Sequence, residues 1–218
     1  MTSSPITTSL SFRGVSIPGK MVALRRMTSG MPIPKFATWK DGVPDLVVMN
    51  AEYFQRALTG RLCWICGNKL GRFAAFVGGP KSAASGHYTE APCHKECAEF
   101  AAQVCPYIVT GKNVRRAVSA EVCEMLETGG DTNNPEVFGI TISDDWSFDR
   151  LTMLFSLRNV VEILWWKHGR PASEDEACRA ASLGHAAVVA IAEQQGRPPS
   201  TVRSFLKDGP YPKQVSAA

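Results

Sequence analysis

Four side chains stand out for the chemistry they could share: Cys63 and Cys66, then His94 and Cys97. A Cys-x-x-Cys turn lets two thiolates reach one ion, and Gly67 after it lets backbone amides turn toward the sulfurs. His94 and Cys97, three apart at the start of a helix, share one of its faces. The positive end of that helix also favours thiolate. Four N/S donors in two close pairs suit one tetrahedral zinc ion, and a complete set leaves no position open for a substrate. Such a site stabilises a fold rather than catalysing a reaction, and without its ion the segment 61–105 is expected to unfold.

Cys93 competes with His94 for the fourth position, because it shares a face with Cys97 four residues on. The two-residue gap of the second pair favours His94, as does Pro92, which sets Cys93 at the helix entrance. The plainer reading of all four is a group of buried thiols beside a surface histidine. Cys105, Cys123 and Cys178 have no partner at ligand spacing and read as small core residues.

The first pair needs a tight turn and the second a helix, and the sequence offers both. Asn50 caps a short helix, residues 51 to 58, with Gly60 as its stop. The Cys-x-x-Cys turn follows, then a strand over 72–77, broken at Gly78, Gly79 and Pro80, and a polar loop to Pro92. Residues 93–105 read as a helix stopped by Pro106. This order of knuckle, hairpin, loop and ligand-bearing helix is that of a treble-clef zinc finger. Upstream, Asp41 and Gly42 make a hairpin turn between 36–39 and 46–48, with Pro44 delaying the second strand or placing it at an edge. Downstream, residues 118–127 read as helix, 128–135 as loop and 137–142 as strand. Two strands, 151–157 and 160–166, meet around Arg158 and Asn159. Ser173 and Glu176 form a capping box opening a helix to about Ser182. Further helices are expected over 185–195 and 199–207. The expected fold is α+β: a central treble-clef-like zinc module in a mixed β structure, with a small helical C-terminal region. Its parts are a mobile N-terminal arm over 1–30, a zinc-containing domain over 31–170, and a helical region and tail over 171–218.

The 218 residues are 44% hydrophobic and 20% charged. That excludes a wholly disordered chain, a collagen and a small disulfide scaffold. The net charge of +4 is uneven. Residues 1–72 hold ten Lys/Arg against three acids, a balance of +7, and the rest carries −3. A basic third meets phosphate, meets an acidic partner, or is simply a solvated face. The first ten residues lack the basic and apolar regions of a signal peptide, and no run is apolar enough to span a membrane. With seven Cys, an odd number, thiol ligands in a reducing cytoplasm are expected over disulfides.

Weaker constellations remain. Residues 190–206 outline a helix-turn-helix, with Gly196 at the turn and Ser200, Thr201 and Arg203 facing a DNA groove, or else a plain helical hairpin. Lys112, Arg115 and Arg116 follow the zinc module and could touch a phosphate backbone, though a solvated loop has the same composition. Trp165 and Trp166 read either as a partner hot spot or as two rings packed under the N-terminal arm. No nucleophile–base set and no phosphate loop is present. His87 with Glu90 is the one acid–base pair the sequence offers an enzyme, and a loop histidine is ordinarily just solvated.

Three segments, 61–72, 76–80 and 90–106, resemble a family of uncharacterised phage and prophage proteins. Residues 31–36 and 43–46 resemble that family's upstream part and 165–174 its C-terminal part, so the likeness spans most of 30–183. The chain departs from the pattern around 81–87. In that family a Ser-His pair often stands where Cys93 and His94 stand here, which supports His94 as ligand. The resemblance implies a phage origin, hence the cytoplasm of an infected bacterial host, and a zinc site. It implies no activity. The expectation is thus a phage-encoded, zinc-stabilised accessory protein that binds nucleic acid or a host protein, with a small hydrolase-type enzyme whose site is the loop around His87 as the alternative.

Overall fold

The computed structural model describes residues 10–46, 48–110 and 134–212. The helix expected over 118–127, Cys123, Lys112, Arg115 and Arg116 lie outside them.

The centre of the fold is β7 (Val137–Ser143), whose seven residues are all buried. A strand buried on both faces reads as a continuous apolar run, not an alternation. It pairs antiparallel with β5 (Ala74–Gly78) on one side and β10 (Glu162–Lys167) on the other, and β11 (Arg170–Pro171) extends the sheet beyond β10. A second antiparallel sheet has the order β6 (His87–Tyr88), β9 (Leu154–Asn159), β8 (Asp145–Asp149). The two strands expected to meet near Arg158 therefore do exist. They do not pair with one another: β9 belongs to one sheet and β10 to the other.

Aromatic rings join the sheets. Phe76 of β5 lies 5.4 to 5.7 Å from the rings of Tyr88, Trp146 and Phe155. Phe155 also meets Phe148 at 4.8 Å and Phe54 of α1 (Ala51–Gly60) at 6.0 Å. Tyr88 Oη donates to Thr141 Oγ1 at 2.6 Å inside this core, so these two buried hydroxyls satisfy one another. On the opposite face of β7, Phe138 meets Tyr107 of α4 (Pro106–Thr110) at 5.9 Å. Side chains alternate along a strand, so Ile140 and Ile142 share that face. α3 (Lys95–Val104) packs against β5 and β7.

Three stretches differ from expectation. Part of the polar loop is a helix, α2 (Pro80–Ser85), with proline in its first turn and Ala83 and Ala84 fully buried. Residues 174–194 form a single helix, α5 (Glu174–Gln194), opened by the capping box. Gly184 lies where a break was expected, but a Cβ there would sit 2.3 Å from the Pro80 carbonyl oxygen. It is a contact point for α2, and this packing offsets the roughly 1 kcal/mol that glycine costs a helix. Past Gly196 only one 3₁₀ turn forms, Pro199–Thr201, so the second helix of the helix-turn-helix outline is not built.

Of the stretch read as an N-terminal arm, residues 10–30 pack against the body. The ribbon of β1 (Ser11–Phe12) and β2 (Val15–Ser16) lies on α3, and Phe12, Ile17 and Met21 are buried. Lys20 pairs with Glu96 in the first turn of α3 at 2.8 Å. A second ribbon, β3 (Thr38–Lys40) and β4 (Val43–Asp45), turns through Asp41 and Gly42, both at positive φ. Pro44 lies within β4 opposite Trp39 rather than delaying it, as an edge position permits.

Candidate metal centre

The chain leaves α1 through Arg61, whose left-handed backbone caps the helix by donating to the Ala57 and Leu58 carbonyls. A tight knuckle follows. The Cys63 amide donates to the Asn68 carbonyl and the Gly67 amide to the Cys63 carbonyl, both at 2.8 Å. Gly67 has φ +78°, and a Cβ there would meet the Lys35 stem at 2.5 Å, so both backbone conformation and space require glycine. The knuckle is held from both sides, by the Trp64 amide on the Pro92 carbonyl and the Lys35 amide on the Ile65 carbonyl.

The second pair is placed by β5. Cys93 and Ala75 exchange both backbone hydrogen bonds, at 2.8 and 2.9 Å. This fixes Cys93 as an extended residue whose thiol faces the Ala75 carbonyl at 3.5 Å. The next residue, His94, points the other way and is the N-cap of α3, with Cys97 in the helix. Alternation along an extended chain thus separates Cys93 from the donors. Ligand atoms of Cys63, Cys66, His94 and Cys97 all lie within 4.8 Å of one another, and all four residues are buried.

His94 arrives with its tautomer set. Its Nε2 lies 3.1 Å from the Lys69 carbonyl oxygen, which only accepts, so Nε2 carries the hydrogen. Nδ1 keeps its lone pair and faces Cys66 Sγ at 3.3 Å. A carbonyl behind a ligating histidine is the usual outer support of a metal site. The amides of Cys66 and His94 both approach Cys63 Sγ at 3.4 Å. Hydrogen bonding from the Cys97 thiol, aided by those amides against the effect of burial, lowers the Cys63 thiol to about 5. Donation to Cys63 and burial raise Cys97, and burial first of all raises Cys66. Metal binding at such thiols requires their deprotonation, so a bound cation displaces protons from the cluster. Burial pushes the Cys93 thiol well above its ordinary value, as suits a core residue.

The donor set is three sulfurs and one imidazole nitrogen, complementary to a metal ion and consistent with zinc. The chain matches no family model, no curated protein and no solved structure. The centre is thus read from its own geometry.

The other singled-out residues lie elsewhere. Arg203 sits on no helix; its guanidinium donates to the Arg158 carbonyl at 2.5 Å and lies over the Phe205 ring at 4.8 Å. His87 is an exposed residue of β6, its amide bonded to Ser85 Oγ. Partial desolvation of its ring, more than the nearby Arg203 charge, lowers its pKa. Glu90 lines a small cleft of about 60 Å³ that His87 does not line. Trp165 and Trp166 are both buried, since the sheet is covered on both faces; Trp165 Nε1 donates to the Pro210 carbonyl at 2.7 Å. The Trp165 ring therefore packs under the C-terminal stretch, and Trp166, the next residue along the strand, faces the other side of the sheet. Cys178 is exposed, not a core residue, and Cys105 is half-buried. No helix among the described residues is long and apolar enough to cross a membrane.

Proposed function

We propose that the chain is a zinc-stabilised binding protein, in which Cys63, Cys66, His94 and Cys97 hold one structural Zn²⁺. The observation that carries this reading is the buried Cys₃His set with the His94 tautomer fixed by the Lys69 carbonyl. Four protein donors complete a tetrahedron, so the ion supplies folding energy and no open position for substrate. The knuckle joined to the start of α3 supports a treble-clef-like description. The ion clamps α3 to the end of α1 and thereby stiffens the surface around Trp64. The phage origin rests on the resemblance of 61–72, 76–80 and 90–106, and the thiol ligands suit the reducing cytoplasm of an infected host.

The partner is a host protein or nucleic acid. For nucleic acid the support is the basic balance of residues 1–72 together with Lys112, Arg115 and Arg116. Arg203 supports only a backbone contact, because no helix carries it toward a groove. Zinc-loaded full-length protein should retain a partner from infected host cells, and chelated protein should not. If nucleic acid is the partner, a mobility shift at roughly 50 mM salt should weaken steeply as salt rises. Arg115→Ala with Arg116→Ala should then flatten the salt slope by about two units at most. No retained protein and no shift with duplex or single-stranded DNA or RNA would overturn the binding reading.

A further inference from the structure

The knuckle lies in a stretch without acids. Residues 53–89 hold Arg56, Arg61, Lys69, Arg72 and Lys81 and no Asp or Glu. From Asn68 to Phe73 the chain is exposed except at Leu70, which turns into the core. Lys69, Arg72 and Phe73 therefore emerge together on one short edge. Arg61 joins them across the ribbon: its carbonyl accepts from the Leu70 amide at 2.8 Å, and Leu62 pairs with Lys69.

Both guanidiniums are positioned without being used up. Arg61 lies over the Trp146 ring at 4.3 Å, and Arg72 donates to Asp144, two residues before that tryptophan, at 3.0 Å. A guanidinium stacked on a ring keeps the N–H groups of its edge for other acceptors. Arg72 commits one nitrogen to Asp144, and its side chain is still 76% exposed. The carboxylates close by are engaged on both oxygens. Asp144 accepts from Arg72 on one and from the Asn159 amide on the other, and Asp145 accepts from Arg158 Nε on both. Among the described residues no carboxylate pairs with Arg61 or Lys69.

Phe73 is 47% exposed, and the Arg72 guanidinium lies 5.2 Å from its ring centroid. An open ring among cations is the pairing that single strands use: the ring stacks a base, and the cations follow the backbone. A duplex keeps its bases paired and offers the ring no free face. An acidic protein segment would engage the cations and leave the ring unused. The metal centre holds this edge, because Cys63 lies two residues from Arg61 and the Lys69 carbonyl stands behind His94.

We infer that the knuckle edge of Arg61, Lys69, Arg72 and Phe73 binds a single-stranded polynucleotide, with one base stacked on Phe73 and the flanking phosphates on the three cations. This rests on the binding reading above and chooses nucleic acid for this face.

The test is fluorescence anisotropy of zinc-loaded full-length protein with two labelled probes, an oligothymidylate DNA and an oligouridylate RNA, at roughly 50 mM salt. Binding of either probe is expected, and the ratio of the two shows whether the sugar is read. Phe73→Ala should weaken binding about tenfold, whereas Phe73→Trp should keep it. Arg61→Gln with Lys69→Gln and Arg72→Gln should flatten the salt slope by about two units. Arg179→Gln, which removes an exposed charge from α5, should change neither, and zinc content should stay constant throughout. Should the triple variant lose its zinc, the contrast between Phe73→Ala and Phe73→Trp decides alone. The inference is overturned if neither probe binds, if Phe73→Ala binds as tightly as the natural chain, or if Arg179→Gln weakens binding as much as the knuckle variants do. It is equally overturned if duplex DNA or an oligoglutamate peptide binds as tightly as the single strands. A zinc-loaded chain that binds neither probe yet retains a host protein sinks this inference and leaves the binding reading standing, so the two failures are separable.

Discussion

Phe155 and His94 are both buried, yet their surroundings differ in kind. Around Phe155 the neighbours are Phe54, Phe76, Trp146 and Phe148, any one of which leaves three other rings in contact. Around His94 the neighbours are three thiols and a carbonyl. Apolar burial of the first kind is additive and tolerant. Coordination of the second kind fails as a unit when one donor goes. The sheets should thus keep their packing without an ion, whereas the knuckle and the start of α3 should not.

Cys97→Ser should have the largest effect. Structural zinc binding is worth on the order of 10 kcal/mol at neutral pH, so amides of the knuckle and α3 should lose their protection in hydrogen exchange. If β7 and β9 lose protection to the same extent, the two regions are one cooperative unit and the contrast fails. Phe155→Ala should cost about 3–5 kcal/mol in denaturant unfolding, while the folded fraction keeps its zinc. Gly184→Ala should cost about 1–3 kcal/mol by driving a methyl into the Pro80 carbonyl, again with zinc retained. Cys93→Ser should cost about 1 kcal/mol and leave metal content unchanged, because its thiol faces Ala75 and not the donors.

The smallest expected effect is one of pH. Arg170, then the Ser173 amide, hold the Glu176 carboxyl well below its ordinary 4.5. A depressed carboxylate contributes fully above its unfolded value, and that contribution is lost as pH falls through the folded one. Protection of the first turn of α5 should therefore decline below pH 4.5, and Arg170→Ala should move that decline upward toward the ordinary value. Zinc release, which reads the other region, should follow proton competition at the thiols instead.

Spacing made the four donors legible, and local chemistry made the Asn50 cap and the Ser173–Glu176 box legible, because each is a short-range pattern with one physical cause. The preference for His94 over Cys93 was also readable, but its reason was not. It lies in the backbone pairing of Cys93 with Ala75, eighteen residues away in sequence. The Lys69 carbonyl behind His94 leaves no trace in residue type. Six residues of α2 are too few to show a helical period, and Ala83 with Ala84 reads as loop until β7 lies beside them. Gly184 had the composition of a break, and only the close approach of Pro80 explains an unbroken helix there. The helix expected over 199–207 failed for the opposite reason. Phe205 and Leu206 are held by the body of the protein, with the Phe205 amide on the Ala84 carbonyl, and this contact prevails over the local helical outline.

Elemental analysis of the purified full-length protein, beside its circular dichroism spectrum, tests the central claim most directly. The account predicts about one zinc per chain, retained in Cys93→Ser and lost in Cys97→Ser together with part of the helical signal. A metal-free chain with the full helical signal and an unaltered fold would contradict it.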